Sequence, residues 1–437
     1  MQQRWEMGFA EKDITPPPGI HLAGYALRQQ GNIGVLDPVF VRALALSDGH
    51  DGALILSCDL LGLKAEDIQL IKQEIQCHTG LPSAAIFIAA THTHSGPASM
   101  RTIGIGDRDE AWMQRCLENM VAAGLSAWQA PRPASLRRAI GETDIGINRR
   151  ARIKKGSIHP TPDPRGVVER MLTVLLAEPE RAEHAPVILF HCGCHPTILG
   201  ADNRTVSADF PGAAIRYLKT SLGPKTAALF LNGAAGNVNP RRMGNRELVR
   251  STGLRLRNQI LQTLKHQSAE VTPQIGAAAR TVTVPFAPFA SGPGWTEMIA
   301  QYEQAVKAAQ SAEERVIQSA YLAWARRMAQ LYGDGSDRAE LRVELQALRI
   351  GEIVFLALPF EVFAETSMAI RQAVSEPVVV CGYTNGNFGY LPPATEIAKG
   401  GYEVLEAHKF YGHPNHFADE AEERIRKTAV LLVQKVV

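Results

Sequence analysis

Hydrophobic positions along the chain switch between short apolar runs and stretches with helical spacing. Ala53 to Ser57 is an apolar run ending in Cys58-Asp59, Ala65 to Gln76 places Ile68, Ile71 and Ile75 on one helical face, and Ala85 to Ala90 is a second apolar run. These segments predict a strand-helix-strand unit. Glu110 to Trp128 predicts a helix, Val187 to His191 and Ala227 to Leu231 predict strands, and Asp209 to Leu222 and Glu247 to Leu264 predict further helices. The expected fold class is α/β, a mixed sheet core with flanking helices. From Trp295 to Tyr332 helix formers dominate with no strand signal, which predicts one long helix or a helical hairpin, an insertion at about 294–332 in a single catalytic unit spanning 1–437. That insertion is expected to act as a packing arm or oligomer contact, or else as a cover over a site. Glu340 to Leu358 alternates in the strand manner, with Gly351-Glu352 placed for a hairpin turn. Phe363 to Val374 predicts a helix, Val378 to Gly382 a strand, Thr384 to Gly401 a loop rich in Gly, Pro and Asn, and Asp419 to Val436 a terminal amphipathic helix.

Composition narrows the class of partner. The 437 residues are 45% hydrophobic and 21% charged, which excludes a disordered or fibrous chain. A net charge of +2, from 46 Lys and Arg against 44 Asp and Glu, gives no field that would favour nucleic acid or an anionic membrane. The apolar runs are far shorter than the roughly 20 residues that span a bilayer. The first residues lack the basic start and apolar run of an export signal, and six scattered cysteines suit reduced thiols, so a cytoplasmic location is expected.

Chemistry concentrates where strands are expected to end. In Thr91-His92-Thr93-His94-Ser95-Gly96-Pro97, two imidazoles separated by one residue leave an extended run on the same side. Neutral imidazole both binds metals and transfers protons near pH 7, so one of the pair can hold a metal while the other works on substrate. In His191-Cys192-Gly193-Cys194-His195-Pro196, alternation separates the histidines from the cysteines, which makes His195 the ligand candidate, His191 a buried hydrogen-bonding group and the thiols packing groups. Glu361 also follows an apolar strand. Ligands gather at the carboxyl ends of strands in open α/β sheets, and His92, His195 and Glu361 are expected to converge there on one ion.

Several motifs resemble the catalytic domain of the neutral ceramidases. They are Thr91 to Pro97, His195-Pro196-Thr197 with Val206 to Gly212, Asp13 to Pro17 with Gly24-Tyr25, Ile147-Asn148-Arg149, Gly233 to Pro240, and Tyr402-Glu403. The resemblance implies a zinc amidohydrolase in which His92, His195, Glu361 and Tyr402 bind Zn2+, His94 transfers the proton and Arg149 holds the substrate's polar head or oxyanion. Tyr390 and Tyr411 share the region of Tyr402. Mixed nitrogen and oxygen ligands suit Zn2+ and are also compatible with Mn2+ or Fe2+. The expected substrate is a small-molecule amide or a lipid with an N-acyl bond. An esterase or lactonase on the same metal, or a metal-stabilised binding protein without turnover, are the alternatives. The sequence departs from the resemblance at Asn237 and Asn239, where an Asp and a nucleophilic Ser are expected; Asn is no nucleophile, which favours metal-activated water. It also ends without the C-terminal β-sandwich domain of full-length members, so a minimal catalytic version is expected.

Overall fold

The computed structural model describes residues 4–152, 158–181 and 183–437. Strands Ala227–Asn232, Val187–Cys192, Met171–Pro179, Arg132–Glu142, Trp5–Asp13, Phe40–Ser47, Gly52–Cys58 and Ile86–Ala90 hydrogen-bond in that order into one sheet, with Ala269–Glu270 beside Arg132–Glu142. Its outermost pairs are parallel, and every pair between them is antiparallel. A second sheet of Ile275–Pro285, Glu340–Ile350, Ile353–Ala357 and Val378–Cys381 likewise ends in a parallel pair. The core is therefore a mixed α/β assembly.

Continuous apolar runs mark strands buried on both faces. In Gly52–Cys58, Leu54, Leu56 and Cys58 pack with the helices Ala65–Thr79 and Glu110–Trp128, while Ala53 and Ile55 point the other way. In Val187–Cys192, Ile188 and Phe190 pack with the helices Asp209–Leu222 and Arg246–Gln267. Val187 and Leu189 share the central core with Ala53, Ile55, Phe87 and Phe355. Side chains of both sheets thus meet in one interior, and helices cover the outer faces. The helix Ala421–Val436 covers the second sheet through Ile425, Leu432 and Val433.

The insertion is a hairpin of two helices, Pro293–Ala308 and Ala312–Tyr332. Ser311 caps the second by accepting from the Glu314 amide at 3.0 Å, as an N-terminal Ser commonly does. Trp295, Trp324, Ala325 and Met328 form the hairpin's own small core. Among its described residues, Leu331 is the only large apolar side chain left exposed. Among the described residues, no helix is long and apolar enough to cross a membrane.

Candidate metal centre and its cavity

Three parallel-paired strands deliver the central side chains. His92 follows Ile86–Ala90, His195 follows Val187–Cys192, and Glu361 follows Ile353–Ala357 at the start of a short strand. Backbone hydrogen bonds fix each in place: His92 N to Leu60 O at 2.9 Å, His195 N to Val238 O at 3.0 Å and Glu361 N to Gly389 O at 2.8 Å. His92 adopts φ 67°, and Tyr383 (54°), Asn385 (59°) and Asp209 (55°) are also left-handed. For residues other than glycine such a conformation costs about 1–3 kcal/mol and persists only where the surroundings enforce it. Here they do: the Tyr383 ring stacks on His92 with centroids 4.0 Å apart, and Asn385 bonds both polar groups of the Ile88 backbone, Asn385 N to Ile88 O at 2.7 Å and Ile88 N to Asn385 Oδ1 at 3.0 Å.

The imidazole tautomers follow from their partners. His92 Nδ1 lies 2.6 Å from Leu61 O and His195 Nδ1 2.6 Å from Ala235 O, so both Nδ1 atoms carry the proton and both Nε2 atoms present lone pairs. Those lone pairs converge on Glu361 Oε2, at 3.2 Å from His92 and 3.0 Å from His195. Burial, with Arg149 nearby, pushes His195 down to about 4, which keeps it neutral at physiological pH. Burial would raise the Glu361 carboxyl, but the neighbouring His92 and His195 outweigh it and hold the group well below the usual carboxylate range. A neutral imidazole lone pair therefore faces a carboxylate at contact distance, an arrangement that a cation between them resolves. Zn–N and Zn–O bonds near 2.0–2.2 Å in a tetrahedron put neighbouring ligand atoms about 3.3 Å apart, which these distances match. His94 Nε2 lies 3.3 Å from His92 Nε2, and the nearest nitrogens of His92, His94 and His195 all lie within 4.8 Å of one another.

His94 differs from its two neighbours in facing open space. It lines a cavity of ≈ 430 Å³ together with Tyr25, Arg149, Asn239, Ile317, Tyr321, Tyr390, Tyr402 and Phe410. Arg149 also lines this cavity, held by Glu403 at 3.0 Å, Tyr390 Oη at 2.8 Å and Asn239 Oδ1 at 3.2 Å. Burial acts against its charge, but Tyr390, Glu403 and Glu361 outweigh that and hold the guanidinium protonated. The tyrosines divide their roles. Tyr411 donates its hydroxyl to Glu361 Oε1, Tyr390 accepts from Arg149 and pairs in strand register with Glu361, and Tyr402 packs edge-on to Tyr390 at 6.0 Å in the cavity wall. Tyr383, which sequence reasoning did not single out, is buried with its ring stacked on His92 and its hydroxyl toward Glu361. Only the turn-rich stretch after Val378–Cys381 hinted at it.

A family description, neutral/alkaline non-lysosomal ceramidase, N-terminal, matches residues 5–248. The chain belongs to this ceramidase family. Among curated proteins, none matches the sequence. The crystal structure of neutral ceramidase from Pseudomonas aeruginosa superposes with a TM-score of 0.73 at 17% identity, over 98% of this chain and 74% of that one. A ceramidase complexed with C2 superposes with a TM-score of 0.76 at 18% identity, over 100% and 76% of the respective chains. This ceramidase-family chain carries its two sequence departures in different settings. Asn237 is buried and structural: its Oδ1 accepts from Ala364 N at 3.0 Å at the start of the helix Ala364–Gln372, and its Nδ2 donates to Glu365. Asn239 faces the cavity and meets Arg149.

Other polar side chains and thiols around the site are accounted for without a metal. His191 is buried with Nε2 at 2.9 Å from Val380 O, and Cys192 and Cys194 are buried free thiols whose ionisation burial opposes. Asp59 pairs with Arg42 at 2.8 Å and accepts from Phe40 N, a structural role. Asp209 accepts from Phe210 N and Leu199 N, and burial raises it to about 7. Arg241 binds the Asp144 carbonyl at 2.6 Å.

Proposed function

We propose that this chain is a metal-dependent amidohydrolase that cleaves the amide bond of an N-acyl compound, with Zn2+ as its metal. The observation that carries the reading is the lone pair of a neutral His195 facing the ionised Glu361 at 3.0 Å inside the protein. His92, His195 and Glu361 would hold the ion, and a tyrosine of the 390–411 segment would join them. Tyr411, bonded to Glu361, and Tyr390, paired with it in register, stand ahead of Tyr402 for that place. When bound, zinc would polarise the scissile carbonyl and lower the pKa of the attacking water toward about 7.

The chain's own groups supply the rest. Burial, with His92 and His195 beside it, holds His94 well below the usual histidine range, so its Nε2 is free to accept a proton from the attacking water. The same nitrogen then returns the proton to the departing amine, which has to leave neutral. His94 Nδ1, 3.1 Å from Gly24 O, fixes the ring for both transfers. Arg149, locked by Glu403 and Tyr390, meets the carbonyl oxygen as it gains negative charge. Asn239 offers an amide and no hydroxyl nucleophile, so water attacks directly. Metal analysis of the purified protein tests this reading: wild type carries about one zinc per chain and hydrolyses N-acyl amides, and His92→Ala loses both. Stoichiometric zinc retained in His92→Ala would remove His92 from the ligand set. Faster cleavage of matched esters than of amides would favour the esterase alternative.

A further inference from the structure

The helical hairpin is built into the wall of the cavity. Arg149, Tyr390, Tyr402, Phe410 and Tyr321 form a chain of contacts from the metal side to the hairpin: Arg149 to Tyr390 at 2.8 Å, then ring centroids 6.0, 6.4 and 5.7 Å apart. Tyr321 and Ile317, one turn apart on the helix Ala312–Tyr332, complete this wall. Three contacts fasten the hairpin to the segment that also carries Tyr402 and Tyr411. Tyr321 Oη donates to Glu406 at 2.8 Å, Trp324 Nε1 donates to His413 O at 2.7 Å, and Lys409 Nζ lies 4.4 Å over the Tyr321 ring. Small-molecule sites span roughly 300–1,000 Å³, and ≈ 430 Å³ lies low in that range. Ile105, Ile317, Tyr321 and Phe410 pack together at the hairpin, with Glu406 bonded to Tyr321 beside them, whereas His94, Arg149 and Asn239 are the polar groups elsewhere in the lining.

Resting on the amidohydrolase reading, we infer that Ile317 and Tyr321 are specificity-determining residues that restrict the substrate to N-acyl compounds with a compact apolar group rather than a long straight chain. The group nearest the hairpin fills the aromatic-walled end while the amide lies against His94 and Arg149. Removing the Tyr321 ring opens that end without touching the groups that react.

The test is a series of straight-chain N-acyl amides from acetyl to hexadecanoyl, assayed by kcat/KM with wild type, Ile317→Ala, Tyr321→Ala and Tyr321→Phe. Tyr321→Phe removes the bond to Glu406 while keeping the ring. Wild type is expected to prefer short acyl groups. Tyr321→Ala and Ile317→Ala are expected to raise the ratio of decanoyl to butanoyl kcat/KM at least about tenfold, and Tyr321→Phe to leave it within about threefold. Calorimetric binding of the matching straight-chain carboxylates gives a readout that needs no turnover and follows the same order of length. A wild type that prefers hexadecanoyl, or an unchanged length preference in the folded alanine variants, would overturn the inference. Absent amide cleavage with a retained length cut-off in carboxylate binding would sink the amidohydrolase reading alone.

Discussion

Replacing Glu361 by Gln removes the only formal negative charge among the described residues in direct contact with the His92 and His195 nitrogens while keeping the side chain's shape. Glu361 is 2% exposed, so solvent screens little of the lost interaction. Breaking a buried charge pair by removing one partner costs about 3–5 kcal/mol, and about 1.4 kcal/mol is a factor of ten, so zinc affinity should fall by two to three and a half decades. The same change is visible in thermal stability. Zinc at about a thousand times its Kd contributes about 4 kcal/mol to the folded state. For a chain of 437 residues, with roughly 2 cal/mol/K of unfolding entropy per residue, this is a rise of about 4–5 °C. At the same free zinc, Glu361→Gln should rise by only about 0.2–1.5 °C. Chelator competition measures the affinity and differential scanning calorimetry the shift, with the chelated variant as a control for folding. A zinc Kd within threefold of wild type in folded Glu361→Gln would refute the reasoning, because the carboxylate would then not be a ligand.

Other outcomes follow from the same geometry. His94→Ala should keep its zinc but lose about 10²–10⁴-fold in kcat, as expected for a proton-transfer group, and metal loss in this variant would make His94 a ligand instead. In the chelated protein, His195 titrates near 4 folded and near 6.5 unfolded, so the unfolded chain binds more protons in between. Stability should therefore fall by up to about 3 kcal/mol as pH drops from 6.5 to 4; urea titrations at both ends should show it, and His195→Gln should flatten the slope. Among Tyr390→Phe, Tyr402→Phe and Tyr411→Phe, the change at 390 or 411 should weaken zinc binding at least tenfold and that at 402 less than threefold; a tenfold loss confined to 402 would return Tyr402 to the ligand set.

Strands buried on both faces announced themselves as apolar runs, and so Ile86–Ala90, Val187–Cys192 and Ile353–Ala357 were legible with the histidines or carboxylate that follow them. The hairpin turn at Gly351-Glu352 also stands where its residues indicated, with Gly351 at φ 57°. Arg132–Glu142 and Ile275–Pro285 were not legible. Their partly exposed faces carry Arg, Thr, Gly and Ala, which dilute the alternation, and their pairing partners lie far away in sequence. At the site, His92, His195 and Glu361 could be found because each follows an apolar run. Tyr411 and Tyr383 reach the same place through short helices and a left-handed turn, and no local pattern in the sequence encodes where such a turn sends a ring. The role of the hairpin stayed open until Ile317 and Tyr321 were located in the cavity wall.

The most direct measurement is amine release from a short N-acyl amide by the purified protein before chelation, after chelation and after zinc is restored. Activity that disappears on chelation, returns with one equivalent of zinc and stays absent in His94→Ala is the predicted result. Amide cleavage that survives complete removal of the metal, or survives in His94→Ala at the wild-type rate, would contradict the account.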